Sequence, residues 1–275
     1  MHARAKKALE AFLKEDIGRG DITSKLLPRK KISARIISRQ GGIVAGVQYA
    51  REIFVSRKCQ VRILKKDGSR LKPNDVIMTI TGPAYSVLSC ERTALNLLSR
   101  MSGIATRTDY LVKLIKSTNS RAHLYSTRKT APGLRIFDKE AVETGGGKRH
   151  RVSLDQMVMI KDNHLAVSGS LRDIIRAAKK RHKRFEVEVE NLDDAVMAAR
   201  EGATIIMLDN IPPREILRIV RTLERLGLRD RVRIEASGGI DASNVKNYAR
   251  TGIDMISIGK VTSSVLGLDL SLEVS

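Results

Sequence analysis

The spacing of hydrophobic and polar positions changes partway along the 275-residue chain. From about Lys31 to Ala84 the period is two: Ile32, Ala34 and Ile36 alternate with polar residues, as in strands with one buried face. Gly41-Gly42 and Asp67-Gly68 punctuate this stretch, Pro73-Asn74-Asp75 turns it before Val76, Ile77 and Met78, and Gly82-Pro83 closes it. Val61 and Ile63 supply a further strand-like pair. The pattern predicts a compact antiparallel unit, a helix from near Tyr85, and a domain boundary near residues 100–108.

Beyond that point, short apolar runs alternate with helical spacing, the order that builds βαβ units and a parallel sheet. Six strands are read: Ala122 to Ser126, Met157 to Ile160, Phe185 to Val189, Thr204 to Leu208, Val232 to Ala236 and Met255 to Ile258. Ser170 and Asp173 form an acidic variant of a capping box ahead of Leu171, Ile174, Ile175 and Ala178. Asn191 caps a second helix carrying Leu192, Ala195, Val196 and Ala199, which Gly202 stops; Pro212-Pro213 opens a third with Ile216, Leu217, Val220 and Leu223. Repetition of strand, helix and glycine stop points to an α/β barrel.

The strand ends matter because a parallel barrel places its chemistry at the C-terminal edges of its strands. Here they read Arg128-Lys129, Lys161-Asp162, Glu188 to Glu190, Asp209-Asn210, Ser237-Gly238-Gly239 and Gly259-Lys260. Polar loops explain one or two such ends; six in succession point to a shared site. Glu186, Glu188 and Glu190 alternate with Val187 and Val189, so the carboxylates share a face, directed to the barrel interior if the valines pack on helices. A plain surface edge strand is the alternative. Asp209 emerges where the apolar run Ile205 to Leu208 stops, and with Glu188 it could hold Mg²⁺ or stabilise a developing cation. Glycines at Ser237-Gly238-Gly239 and Gly259 let backbone N–H groups approach a phosphate. Gly145-Gly146-Gly147-Lys148 reads as a flexible loop, with His150 and the flanking arginines suggesting anion contact.

Composition narrows the partners. With 42% hydrophobic residues and 20 Gly against 6 Pro, the chain is globular, sized for one domain or two. The net charge of +21 favours phosphates, carboxylates or nucleic acid. Aromatics are 3% with no Trp, and Lys and Arg are dispersed without a recognition helix, so nucleic acid is not expected as the partner. Cys59 and Cys90 lack zinc-site neighbours and read as reduced thiols. Residues 1–14 lack the apolar core of a signal peptide and no 18-residue apolar run occurs, so the expected location is the cytoplasm, with no membrane association.

Several stretches together resemble the quinolinate phosphoribosyltransferase family: Thr127-Arg128-Lys129-Thr130-Ala131-Pro132-Gly133-Leu134-Arg135, the triple-glycine run through His150-Arg151, and Met159-Ile160-Lys161-Asp162-Asn163-His164. Glu15-Asp16-Ile17-Gly18, Gly42 to Gly46, Glu91-Arg92-Thr93-Ala94-Leu95-Asn96, Ser102 to Thr106, Glu186 to Glu190, Leu208-Asp209-Asn210 and Glu235-Ala236-Ser237-Gly238-Gly239 extend the likeness over nearly the whole chain. The resemblance implies an N-terminal α/β sandwich over residues 1–105 and an open, incomplete α/β barrel over residues 106–275, with room for the last residues to pack back on the first domain. It implies a homodimer or higher oligomer, and transfer of the phosphoribosyl group of phosphoribosyl pyrophosphate to quinolinate, with Mg²⁺, giving nicotinate mononucleotide, pyrophosphate and carbon dioxide.

Carried over residue by residue, the resemblance puts Arg128, His150, Arg151 and Lys161 on the diacid, joined by Arg92 from across the dimer. Lys129 falls near the leaving pyrophosphate, Glu188 and Asp209 at the metal and ribose, and Ser237, Gly238, Gly239 and Gly259 around the ribose phosphate; Lys161, Glu188 and Asp209 are the expected catalytic groups. One departure stands out: the family often has His after its Gly-x-x-Thr stretch, where this chain has Ser263. The nearest rival is a phosphoribosyltransferase acting on nicotinate without decarboxylation; the cation set at Arg128, His150-Arg151 and Lys161 favours a diacid.

Overall fold

The computed structural model describes residues 3–275. Two compact units emerge: one comprises the chain up to Asp109 with Thr130–Gly146 and Val261–Ser275, the other Tyr110–Lys129 with Gly147–Lys260. The division falls inside a continuous helix, Ala84–Lys116, which runs unbroken through residues 100–108 where the sequence pattern predicts a boundary.

In the first unit, β1 (Lys31–Ser38), β2 (Gly42–Ile43), β3 (Gln60–Ile63), β4 (Arg70–Leu71) and β5 (Val76–Pro83) form the expected antiparallel region. β1 lies between β5 and the C-terminal strand Leu270–Val274, both antiparallel to it, and β3 adds to the far side of β5; β2 and β4 make a separate two-stranded ladder. The helix Val47–Ser56 interrupts the strand pattern and buries Val47, Tyr49, Ala50, Ile53 and Phe54. Its apolar residues at helical spacing lie between turn signals, in a stretch where the period-two pattern predicts no helix.

The second unit is built on a parallel sheet: β6 (His123–Ser126), β7 (Lys148–Arg149), β8 (Val158–Ile160), β9 (Phe185–Val189), β10 (Ile205–Asp209), β11 (Arg233–Ser237) and β12 (Met255–Ser257). Their order is β7-β6-β12-β11-β10-β9-β8, a curled, open half-barrel with β7 and β8 at its two edges. Six strands match the periodic reading within a residue or two. The seventh, β7, lies in the run expected to be a flexible glycine loop; with two residues and no apolar pair it carries no periodicity. The loop is not slack either, since a Cβ on Gly145 would sit 2.4 Å from the Ala105 carbonyl oxygen, so close packing requires this glycine.

Caps and faces follow the local chemistry. Ser170 accepts the Asp173 N–H at 3.2 Å to start Leu171–Arg181, and Asn191 accepts the Asp194 N–H at 2.9 Å to start Leu192–Glu201. Gly202, at φ 102°, ends the latter helix. On Pro213–Arg225 the buried stripe is Ile216, Ile219, Val220 and Leu223, whereas Leu217, expected inside, is half-exposed beside Arg214, Arg218 and Arg221. In β10, Ile205, Ile206, Met207 and Leu208 are all buried, as in a strand covered on both faces.

Candidate active site

Strand register decides which polar residues meet. Glu188 pairs with Met207, and Asp209, two residues further along β10 on the same face, pairs with Ser237 of β11. One face across β9, β10 and β11 therefore carries Glu188, Asp209 and Ser237 toward the strand ends. Glu190 lies beyond the end of β9 and is exposed, so only Glu186 and Glu188 of the three alternating glutamates are enclosed.

Lys161 follows β8 and caps the helix Asp162–Ser168, its backbone N–H donating to His164 Nδ1 at 3.0 Å. Its ammonium pairs with the Glu188 carboxylate, whose side chain is only 9% exposed, so Glu188 avoids being an uncompensated charge in a low-dielectric wall.

The loops after β10, β11 and β12 supply backbone. Asn210 adopts φ 55° and donates its backbone N–H to the Ser237 carbonyl at 2.9 Å, while its side-chain amide donates to Asp209 Oδ2 at 2.6 Å. Gly238 and Gly239 follow at φ 91° and 59°. A Cβ on Gly238 would lie 2.2 Å from Asn210 Oδ1 and 2.8 Å from Asn210 N, so only glycine lets the two loops touch. Gly259 plays the same part opposite Lys129, whose Cδ would be 3.1 Å from an added Cβ; the lysine stem therefore lies across the β12 loop. Ser237 ends β11 with Gly238 and Gly239 after it, Gly259 lies beyond β12 and Lys129 beyond β6, and these three strands are neighbours in the sheet.

Arg128 and Arg151 lie near enough for their charges to interact. Arg151 donates to the Met157 carbonyl at 3.0 Å and contacts Met159 Sδ at 3.2 Å. Burial, and then the nearby Arg128 charge, hold the Arg151 guanidinium below its ordinary value. The Arg128 Nε is buried without a hydrogen-bond partner. Two half-buried like charges and an unsatisfied donor are costly together unless an anion joins them.

His150 turns inward. Its Nε2 lies 3.0 Å from Glu186 Oε2 and 3.2 Å from Glu235 Oε2, with the imidazole 6% exposed and both carboxylates fully buried. Its Nδ1 accepts the Arg151 backbone N–H at 2.9 Å, and Tyr125 packs edge-on with ring centroids 6.2 Å apart. Burial lowers the ring pKa, but hydrogen bonds and charge from Glu186 and Glu235 outweigh it and lift it to about 9. The Nδ1 contact with the Arg151 N–H holds only for a neutral ring, whereas the two carboxylates beside Nε2 favour the protonated ring, and in the balance the carboxylates prevail. Burial, then Glu235, pushes the Glu186 carboxyl up. Glu235 has no role in the strand-end pattern, although Arg233, Glu235 and Ser237 alternate with Ile234 and Ala236 at the period of two that places them on one face.

Not every predicted residue belongs to this unit. Arg92 is exposed on Ala84–Lys116 and, like the exposed Ser263, falls in the first unit. For a divalent cation, Glu188 and Asp209 fit: they are oxygen donors on adjacent strands, and Asp209 is half-exposed. No helix among the described residues is long and apolar enough to cross a membrane.

Comparison with known proteins agrees along the whole length. Residues 104–273 match the quinolinate phosphoribosyl transferase C-terminal domain and residues 21–102 its N-terminal domain. A probable nicotinate-nucleotide pyrophosphorylase [carboxylating] of Archaeoglobus fulgidus is 45% identical over 255 residues, covering 93% of this chain and 98% of that protein. Its counterpart in Methanothermobacter thermautotrophicus is 43% identical over 273 residues, covering 97% of each. The solved nicotinate-nucleotide pyrophosphorylase of Francisella tularensis superposes with a TM-score of 0.92 at 36% identity, covering 99% of this chain and 96% of that one.

Proposed function

This chain belongs to the quinolinate phosphoribosyl transferase family, and from that premise we propose that its site divides into a diacid-binding half and a donor-binding half. The enzyme transfers the phosphoribosyl group of phosphoribosyl pyrophosphate to quinolinate with loss of carbon dioxide, giving nicotinate mononucleotide and pyrophosphate in NAD biosynthesis.

The observation carrying the division is the Arg128–Arg151 pair: two partly buried guanidiniums, Arg151 held low by burial and then by the Arg128 charge, with the Arg128 Nε unsatisfied. A dianionic acid relieves the repulsion and supplies the acceptor. Lys161 takes a carboxylate of the same acid in exchange for Glu188, and Arg92 of a second copy completes the cation set in a homodimer. On the donor side, the N–H groups of Gly238, Gly239 and Gly259 with Ser237 hold the ribose phosphate, and Lys129, lying over Gly259, faces the pyrophosphate.

In the reaction, the ring nitrogen of quinolinate attacks the anomeric carbon as the bond to pyrophosphate breaks. Positive charge grows on the ribose, and Glu188, freed from Lys161, and Asp209, oriented by the Asn210 amide, stabilise it. The Glu188 and Asp209 carboxylates would hold Mg²⁺, directly or through water, and the ion would supply charge neutralisation for the departing pyrophosphate. Loss of the carboxylate next to the new ring cation follows, with Lys161 and Arg128 orienting the acid; no protein nucleophile takes part. A cytoplasmic location is part of the same proposal.

The test supplies phosphoribosyl pyrophosphate and Mg²⁺ with quinolinate or nicotinate separately and measures mononucleotide and carbon dioxide. Product and gas are expected from quinolinate alone. Mononucleotide formed from nicotinate would reject the diacid assignment.

A further inference from the structure

The loop that delivers His150 and Arg151 has little regular structure to hold it. Between β7 and β8 the chain runs from His150 to Met157 without a helix or strand. What it has is His150, fixed at 3.0 Å and 3.2 Å from two fully buried carboxylates that stand on β9 and β11. Those strands are separated by β10, with Glu186 in register with Ile205 and Glu235 with Met207, so the imidazole bridges three strands of the sheet from the edge of the barrel. Burying two carboxylates so close together is unfavourable unless a cation lies between them, which makes an incidental arrangement a poor account of the cluster.

We propose that Glu186 and Glu235 are positioning residues for quinolinate binding: their carboxylates clamp the His150 ring and so set where the adjoining Arg151 guanidinium presents itself to the acid. The inference rests on the assignment of His150 and Arg151 to the diacid half of the site. Neither glutamate touches substrate in this scheme.

Three observations carry the argument further than the distances alone. Arg151 is coupled to the ring directly, as the next residue in the chain with its backbone nitrogen 2.9 Å from His150 Nδ1, so the position of the imidazole constrains where that backbone sits. The guanidinium has little freedom of its own, being tied to the Met157 carbonyl and Met159 Sδ. Among the described residues, Glu186 from β9, Glu235 from β11, Tyr125 from β6 and Arg151 from its own loop face the ring, and Arg149 and Arg184 line the 250 Å³ cavity beside it. Removing one carboxylate therefore leaves the ring with one anchor and room to turn into that cavity. The two carboxylates also raise the ring pKa to about 9, so the clamp keeps a cation next to Arg128 and Arg151 across neutral pH, where a dianion can be met by more than guanidinium charge.

The decisive variant is Glu235→Gln, which keeps the side-chain shape on β11 and removes the charge; Glu186→Gln is its partner on β9. Full-length proteins are assayed with each substrate varied in turn, and the histidine rings are titrated by NMR with His150 assigned by its loss in His150→Asn. The expected result for Glu235→Gln is a KM for quinolinate raised about ten-fold, equivalent to about 1.4 kcal/mol, and a KM for phosphoribosyl pyrophosphate within about two-fold of the parent. The His150 titration should move down toward that of an ordinary imidazole. Glu235→Asp, which restores the carboxylate one methylene short, should recover part of both changes and serves where the glutamine variant folds poorly. An unmoved His150 titration, or equal rises in both KM values, overturns the clamp. If His150→Asn and Arg151→Ala themselves leave the KM for quinolinate unchanged, the site assignment fails instead; if they raise it and the glutamate variants do not, only the clamp fails.

Discussion

Gly238→Ala and Gly239→Ala separate backbone strain from steric collision at the ribose-phosphate loop. Both glycines have positive φ, 91° and 59°, so alanine at either costs roughly 1–2 kcal/mol in left-handed backbone alone. Only Gly238 adds a collision: its Cβ would fall 2.2 Å from Asn210 Oδ1 and 2.8 Å from Asn210 N, whereas at Gly239 nothing lies within 4 Å. The backbone nitrogen cannot swing away as a side-chain tip could, so the β10 and β11 loops must separate. That breaks the Asn210 N–H bond to Ser237 and releases the amide that holds Asp209. Two lost hydrogen bonds at about 1 kcal/mol each bring the total to about 3–4 kcal/mol, or a Tm lower by about 10 °C in a chain of this size. Gly239→Ala should lose about 3–5 °C on the same scale. Thermal unfolding with initial rates at 25 °C, where both variants stay folded, is the assay. Gly238→Ala should raise the KM for phosphoribosyl pyrophosphate at least ten-fold and lower kcat through Asp209, while the KM for quinolinate is nearly unchanged. Equal behaviour of the two variants would refute the collision argument, and an unchanged donor KM in Gly238→Ala would refute the assignment of this loop to the phosphate.

Lys161→Ala should lower kcat/KM for quinolinate by about a hundred-fold or more, because it removes the acid's partner and leaves Glu188 without its counter-ion; near-normal turnover would sink the role. Arg128→Lys should not rescue Arg128→Ala, since an ammonium cannot reproduce the planar guanidinium donors, and comparable KM values for the lysine variant and the parent would say otherwise. His150 has its folded pKa raised above the unfolded value, so its stabilisation is complete below about 6.5, lost as pH rises through about 9, and of the order of 3 kcal/mol. Unfolding free energies measured from pH 6 to 10 should fall over that window in the parent and less in His150→Asn, and equal slopes would remove the histidine as the cause. Asp254→Ala deprives the buried Arg229 of a partner at 2.8 Å and should destabilise by about 3 kcal/mol without changing either KM; urea denaturation with parallel kinetics checks both halves.

The sequence carries the barrel because parallel strands are apolar on both faces and their helices begin and end on recognisable caps; Ser170, Asn191 and Gly202 sit where their chemistry requires. β7 escapes because two residues, Lys148 and Arg149, pair with β6 through backbone alone, which no side-chain period reports. The helix Val47–Ser56 escapes for a related reason: ten residues between two turn signals can satisfy either period, and packing in the first unit decides it. A 33-residue helix runs through residues 100–108, the division between the two units falls at Asp109 and Tyr110, and Thr130–Gly146 belongs with the first unit, a pairing across distance that no local signal encodes.

The site is legible for the same reason that part of it is not. Strand-end positions are fixed by alternation, so Lys161, Glu188, Asp209 and Ser237 fall on one rim by residue spacing alone. Glu186 and Glu235 obey the same alternation, yet they sit one step deeper, at a depth where a carboxylate is unfavourable unless something meets it. Sequence cannot say what meets it, because His150 arrives from a loop with no period at all. Once the partner is known, the cost reverses its meaning: two carboxylates that would be expensive alone become the anchor for the least regular segment of the acid-binding half. Part of the +21 charge lies away from this cluster, since Arg214, Arg218, Arg221 and Arg225 line a face of Pro213–Arg225. In the proposed scheme the diacid is met by a few partly buried cations, Arg128, His150, Arg151 and Lys161, and not by the many in solvent.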